Sequence, residues 1–483
     1  MNDNRASHRT GAAGYRWAAA GLLALTIYGG LLPFHFTPRP LSEAVDSFRH
    51  ILSFDPSDLD ARGDWVVSLV QYAALGFMLM AAICAHSTRA AIPVAAVVAP
   101  ACVALAVAME FAQQFFPPRT VSWNDIVVES VGGLAGVAAW LAVGPRMARW
   151  VRRVTAVTTV SELARRLMPA YLAVLLVVEL MPFDFVIGGT ELRAKYSEGK
   201  ILLIPYAGGF GAAAVGKAAL NAIAFVPMGL LSVLACRRNG GSRWLGVALV
   251  GPAVVEVFQL FVYSRAFDAT DILTGMAGVW VGWCLGLPTH FRRLSEWLAS
   301  PRLGFLRPVF WLVWLGVVVY VHWHPFDFTL DASRFAADFE EFPRYGLRRM
   351  TLAPFVDYYW GSKYNALDLF VRKGMTFLPA GVFVALSARS VFQPGAARKA
   401  VVIAFAISAV MQVGRYFLPG RVPSVTDVLI ACAAAWLGFR FTQYVRSIFW
   451  ADTVFAKTGA TPTSALHFIT PWRDAGPFKR SSI

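Results

Sequence analysis

Charge is scarce in this chain. Only 15% of its 483 residues are Asp, Glu, Lys or Arg, against 57% hydrophobic residues and a mean hydropathy of +0.54. That composition carries more apolar surface than a soluble core can bury, which excludes an ordinary water-soluble domain. Cysteine is sparse as well. Cys84, Cys102, Cys236, Cys284 and Cys432 all fall inside apolar runs without a C-x-x-C pair, so neither a disulfide framework nor a thiolate metal site is indicated. There is no G-x-x-x-x-G-K-[ST] loop, no G-x-S-x-G elbow and no H-E-x-x-H helix, which argues against nucleotide-driven work and zinc-assisted hydrolysis. A basic face is missing too. The formal charge is +15, but the arginines cluster in short turns between apolar runs, so a nucleic-acid partner is not expected and positive-inside topology accounts for them.

What is present is a set of apolar runs of about twenty residues, the length a bilayer requires. They lie near 17–36, 65–85, 91–116 and 125–143, then 168–187, 217–236, 244–263 and 271–287, then 305–325, 366–386, 400–418 and 427–442. The first follows a polar start but precedes no small-residue cleavage site, so it is read as a retained helix rather than a signal peptide. The expected fold is an all-α, polytopic transmembrane helical bundle of twelve spans, arranged as three parallel four-helix repeats. The units are 17–145, 165–288 and 305–445, flanked by a polar N-terminus (1–16) and a polar tail (452–483) read as disordered.

The repeat rests on landmarks at constant spacing. Glu110 to Asp125 reads EFAQQFFPPRTVSWND, Glu256 to Asp271 reads EVFQLFVYSRAFDATD, and Gln412 to Asp427 reads QVGRYFLPGRVPSVTD. The arginine (Arg119, Arg265, Arg421) falls nine residues after the first position each time, and the aspartate (Asp125, Asp271, Asp427) fifteen. The first span of each unit ends in Pro-Phe-x-Phe, from Pro33, Pro182 and Pro325. The second carries an aromatic and a glycine four later: Tyr72 and Gly76, Phe225 and Gly229, Phe377 and Gly381.

Basic, acid-poor turns mark one side of the membrane. Arg146 to Arg153 lie between units one and two, Arg237, Arg238 and Arg243 within unit two, Arg292 and Arg293 between units two and three, and Arg389, Arg398 and Lys399 within unit three. By the positive-inside rule they and both termini are cytoplasmic, and the longer acidic loops near 37–64, 188–216 and 329–365 face outward. The recurring polar sets then gather at the outer face of a bacterial plasma membrane.

These residues resemble the VanZ-like family of multi-pass bacterial membrane proteins. The likeness is carried by Asn221, Phe225-Val-Pro-Met-Gly229, Glu256-x-x-Gln259, Arg265, Asp271, Gly278 and Gly282 in the second unit. The first unit matches at Tyr72, Gly76, Glu110-x-x-Gln113, Arg119, Asp125, Gly132 and Gly136. The third keeps Phe377, Gly381, Arg421, Asp427 and Gly438, with Gln412 and Arg415 in place of Glu and Gln. Members usually have one such unit, and the founding member is associated with low-level resistance to the glycopeptide teicoplanin. The resemblance therefore implies an envelope role. It also departs: where the family often has Asn four residues after the Asp, this chain has Glu129, Gly275 and Ala431.

Glu110 with Gln113, and Glu256 with Gln259, share a helix face within an apolar span, where a carboxylate is costly unless paired or facing a wet cavity. Two readings stay open: a structural tie of Glu to the Arg of its unit, or a ligand or proton-handling role. Arg119, Arg265 and Arg421 suit a carboxylate or phosphate partner, or the neighbouring Asp, and Asp125, Asp271 and Asp427 read as helix N-caps paired with Arg. Pro-Phe-x-Phe reads as an interfacial helix stop, and the glycines as small-x-x-x-small packing faces. His322, His324 and Asp327 lack a suitable ligand set for zinc, so no metal or cofactor is expected.

Three functions follow. The first is a non-enzymatic envelope protein whose partners are membrane lipids, with an anionic headgroup or a lipid-linked envelope glycan held at the outer face. The second is a membrane-embedded enzyme acting on lipid-linked precursors with Glu110 or Glu256 as general base. The third is a secondary transporter. The candidate ligand-binding set is Arg119, Asp125, Gln113, Arg265, Asp271, Gln259, Arg421 and Asp427.

Overall fold

A computed structural model describes residues 2–50, 59–84, 90–154, 159–236, 243–287, 306–329, 354–356, 363–388 and 395–458, apart from 118, 120, 208, 210, 419, 420 and 422. Arg237, Arg238, Arg292, Arg293 and Arg389, together with the tail from 459, lie outside the described residues.

The described chain is helical almost throughout. Unit one contributes α1 (Asn2–Leu31), α2 (Leu41–Arg49), α3 (Leu59–Cys84), α4 (Ala91–Gln113) and α5 (Trp123–Val154). Unit two follows with α6 (Val160–Glu179), α7 (Gly189–Ser197), α8 (Ala212–Cys236), α9 (Arg243–Gln259) and α10 (Ala269–Gly286). Unit three has α11 (Leu306–Trp323), α12 (Lys363–Ser387), α13 (Ala396–Tyr416) and α14 (Val425–Thr458). Helix α1 begins inside the stretch read as a polar N-terminus, and α14 continues past 452 to Thr458. One small parallel sheet interrupts the all-α pattern: β1 (Ile201–Leu202) pairs with β2 (Phe267–Asp268) in the register Ile201 to Phe267.

Seven helices among the described residues are long and apolar enough to cross a membrane: α3, α4, α5, α8, α12, α13 and α14. The others expected to span are shorter or more polar in their described parts. Helix α9 has 17 residues, and α6 carries Glu162, Arg165 and Arg166 in its first turns. Outward-facing side chains such as Val247, Val250, Phe258 and Trp280 are exposed on α9 and α10, a surface that suits lipid and not water.

Glycine decides how the helices meet. A Cβ at Gly76 would lie 2.4 Å from the Gly133 carbonyl, one at Gly229 would lie 1.9 Å from that of Val279, and one at Gly381 would lie 1.9 Å from that of Ala435. The reciprocal positions are as tight: Gly136 against Ala73, Gly282 against Val226, Gly438 against Leu378. The second and last long helices of each unit (α3 with α5, α8 with α10, α12 with α14) therefore pack backbone to backbone, as the small-x-x-x-small spacing predicts. Against these pairs lie small, dense cores. In unit three Phe377, Met411, Ala431 and Ala435 enclose Trp314 and Val318.

Candidate functional site

At the end of the bundle opposite the basic turns, each unit folds its landmark residues into one clasp. The first helix stops before a cis proline (Leu32–Pro33, Met181–Pro182, His324–Pro325), and the following phenylalanine (Phe34, Phe183, Phe326) takes a left-handed backbone with φ between 65° and 69°. The residue after Pro-Phe-x-Phe then donates its amide to the hairpin between the third and fourth long helices. Thr37 bonds the Phe115 carbonyl at 2.8 Å, Val186 that of Phe261 at 2.8 Å, and Thr329 that of Phe417 at 2.9 Å.

The recurring arginine closes the same junction from the other side. Arg119 donates from Nε to the Leu32 carbonyl (3.0 Å) and from a terminal nitrogen to that of Gly29 (2.7 Å). Arg265 does so to Met181 (2.6 Å) and Val178 (3.5 Å), and Arg421 to His324 (3.1 Å). A helix leaves its last carbonyls without intrahelical partners, and a guanidinium satisfies them while matching the negative end of the dipole. From the ninth position the side chain thus reaches the same carbonyl in all three units, that of the residue before the proline. The expected pairing of this Arg with Glu or Asp gives way to main-chain contacts.

The buried Glu or Gln has an equally uniform partner, twelve residues on. Glu110 Oε2 accepts the Ser122 amide at 3.1 Å, Glu256 Oε2 that of Asp268 at 2.9 Å, and Gln412 Oε1 that of Ser424 at 3.0 Å. A glutamine can replace the glutamate because the bond needs an acceptor, not a charge. Gln113 and Gln259 share the buried face as expected, and Gln259 bonds the Glu179 carboxylate at 3.1 Å.

The aspartates are not the N-caps. Capping falls three residues earlier, where Ser122 accepts from the Asn124 amide (3.2 Å) and Asp268 from that of Thr270 (2.8 Å). Asp125, Asp271 and Asp427 sit in the first turn and meet lysines absent from the sequence-derived set. Lys217 lies 2.7 Å from Asp271, while Asp427 takes Lys373 and, at 2.6 Å, Arg415. In unit one the cation comes from elsewhere. Lys363, at the start of α12 in unit three, donates to Ser68 Oγ at 2.7 Å and lies 3.4 Å from Glu129 and 3.7 Å from Asp125. Glu129, noticed in the sequence only as a departure from the family's Asn, is therefore a site residue. The signal for Lys363 was absent, because its partner is 234 positions away in the chain.

Between α1, α3 and α4 of unit one and α12 of unit three lies a cavity of about 510 Å³. Gln71, Tyr72, Gln113, Arg119, Glu129 and Lys363 form its polar lining, and Leu25, Met109, Phe355, Leu367 and Phe370 its apolar wall. Glu110 Oε1 and Glu129 Oε2 are buried with no hydrogen-bond partner among the described residues, and the Tyr72 hydroxyl stands beside the Glu129 carboxylate. Unit three's corresponding cluster is more fully paired, since Lys373, Arg415 and Gln412 converge on Asp427.

A second junction lies at the start of α3. Arg62 forms two 2.9 Å bonds to Glu191 on α7 and a third, also 2.9 Å, to the Phe185 carbonyl, and Asp64 accepts the Tyr364 amide at 2.9 Å. Those bonds and the Ile187 amide hold the Glu191 carboxyl down at about 2. On α7 Lys195 is fully buried and donates to the carbonyls of Gln259, Leu260 and Val262 at 2.5–2.9 Å; burial pushes its ammonium down to about 8.

Apolar helices stacked through glycine faces, with a polar clasp at one end of each of three units, define a helical membrane protein built from a tandem repeat. The VanZ/LLP1 family model matches residues 15–144, 155–290 and 306–446, and the chain belongs to that family, with three tandem units. No curated protein and no solved structure matches it.

Proposed function

We propose that this protein is a non-enzymatic component of the bacterial envelope that holds a lipid, by its headgroup, at the outer face of the plasma membrane. In this reading the chain has twelve spans in three parallel repeats, with the clasps and the unit-one cavity on that face and both termini in the cytoplasm; the acid-poor basic turns support this orientation. The observation that carries the reading is the cavity itself, whose lining combines polar residues such as Gln113 and Lys363 with apolar ones such as Leu25 and Phe370. Its volume falls in the range of small-molecule sites, and its mixed polar and apolar lining suits an amphiphile. A link to glycopeptide tolerance follows if the lipid is an envelope precursor.

The test is lipid carried through purification. Mass spectrometry of the full chain in mild detergent should find lipid bound to the native protein and little bound to Ala366→Trp, which fills the cavity. Equal lipid content in both overturns the reading.

One observation favours a second reading, an enzyme acting on lipid-linked precursors with Glu110 as base: its Oε1 is buried without a partner among the described residues. Turnover of such precursors by the purified protein, lost in Glu110→Gln, would establish it.

A further inference from the structure

We infer that the cavity between units one and three binds an anionic oxygen of its lipid's headgroup, carboxylate or phosphate, at Gln113 Nε2, in the place that the Glu179 side chain takes in unit two. This rests on the lipid-holding reading and names the group that anchors the ligand.

The position three residues before the cis proline differs among the units: Gly30, Glu179 and His322. In unit two Glu179 gives the buried Gln259 its partner. Gln259 Nε2 donates to the Glu179 carboxylate at 3.1 Å and to the main-chain carbonyl of the same residue at 3.3 Å. Gln113 is the unit-one counterpart of Gln259, three residues after the buried glutamate. It is 5% exposed and lines the cavity, and its side chain has no hydrogen-bond partner among the described residues although its amide is not enclosed. Gly30 lines the cavity as well, and a Cβ there would lie 3.9 Å from Gln113 Nε2. The side chain that would complete the amide is therefore missing from the cavity's own lining. A buried donor left without an acceptor is costly, so a ligand that supplies the acceptor regains that cost.

Other polar groups of the lining are already engaged. Gln71 donates to Thr26 Oγ1 at 3.0 Å, Arg119 to the carbonyls of Leu32 and Gly29, and Lys363 to Ser68 Oγ at 2.7 Å. Glu129 faces Lys363 at 3.4 Å and the Tyr72 hydroxyl, and its Oε2 is enclosed, out of the ligand's reach. Unit three closes the equivalent place with its own side chains. His322 is 2% exposed and packs edge-on against Phe377, while Arg415, at the position of Gln113, bonds Asp427 at 2.6 Å. Unit one alone of the three has glycine there, beside an amide donor. The group that meets this donor in unit two is a carboxylate, and a charged acceptor makes a stronger bond to an amide than a neutral hydroxyl does.

Defined lipids test this. Full-length protein is titrated with dioleoyl phosphatidic acid, dioleoylglycerol succinate and dioleoylglycerol, which share their acyl chains and end in a phosphate, a carboxylate or a neutral hydroxyl, and binding is read by native mass spectrometry. Retention of an anionic lipid should exceed that of dioleoylglycerol about tenfold or more, the factor expected for a hydrogen bond to a charged group. Whichever anionic lipid leads identifies phosphate or carboxylate. Gln113→Leu should bring the three lipids within about threefold of one another while binding persists. Gly30→Glu supplies a carboxylate from the chain itself and displaces only the flexible end of Met109, and it should lower retention of the anionic lipids about tenfold. An anionic preference that survives Gln113→Leu, or anionic retention unchanged in Gly30→Glu, overturns the inference, and should one variant fail to fold the other decides. Dioleoylglycerol held as well as the anionic lipids by the native protein, with all three lost in Ala366→Trp, overturns the anionic assignment and leaves the cavity reading standing. Retention unchanged by Ala366→Trp, or no retention by the native protein, overturns the cavity reading itself. Inorganic phosphate that competes as well as phosphatidic acid, mole for mole, shows a free anion as the ligand and overturns the lipid-holding reading while keeping the role of Gln113.

Discussion

Lys363 donates to Ser68 across 295 positions of sequence at 2.7 Å, so unit three supplies the cation that unit one's acidic cluster lacks. The two units cannot be independent. Lys363→Met should strand the buried Glu129 and the half-buried Asp125 without their cation and cost about 1–3 kcal/mol, below the full range for a buried pair because Lys363 is partly exposed. Thermal unfolding in detergent measures it. Combining Lys363→Met with Glu129→Gln should recover part of the loss, as contacting residues are non-additive.

Arg119 is expected to behave as an architectural residue. Replacement by Met leaves the carbonyls of Gly29 and Leu32 without their donor and should destabilise by about 1–3 kcal/mol. Arg265→Met should do the same in unit two through Met181. A drop in lipid retention without any drop in thermal midpoint would assign Arg119 to the ligand instead.

Glu256 has a natural control in Gln412. Both side chains accept an amide twelve residues on, so Glu256→Gln should keep the hairpin within about 0.5 kcal/mol, whereas Glu256→Ala orphans the Asp268 amide at about 1–3 kcal/mol. Hydrogen exchange at Asp268 distinguishes the two. Equal loss in both variants would show that the charge, and not the acceptor, is what unit two needs.

Acid should loosen the junction between units one and two. Glu191 is held at about 2, below its ordinary 4.5, by Arg62 and the Ile187 amide. A carboxyl depressed in the folded state contributes its full stabilisation above the ordinary value and loses it as pH falls through the folded value. The thermal midpoint of the native protein relative to Glu191→Gln should therefore narrow between about pH 5 and pH 2 and stay constant above. A gap independent of pH would show that Arg62 does not act through this carboxylate.

Topology is testable at two serines. In a cysteine-free background, Ser264→Cys in the unit-two clasp should react with an impermeant maleimide from outside the cell, and Ser242→Cys in a basic turn should be protected. Reversed labelling would turn every clasp toward the cytoplasm.

The amino-acid sequence by itself determined the helical class, the three units and the packing faces. Each rests on a local or periodic property: apolar runs of bilayer length, landmarks at constant spacing, and glycines four apart that let two backbones touch. The same spacing marked Glu110, Arg119 and Asp125 and their counterparts as important without revealing what they hold. Only the tertiary structure decided that the arginines bind main-chain carbonyls at the ends of the first helices, that the glutamates hold hairpin amides, and that capping falls to Ser122 and Asp268. Carbonyls and amides are carried by nearly every residue and leave no mark in a sequence. The pairing of Lys363 with Glu129 was hidden for a related reason, since one partner lies in the third unit and the other in the first, and only the approach of α12 to α3 brings them together.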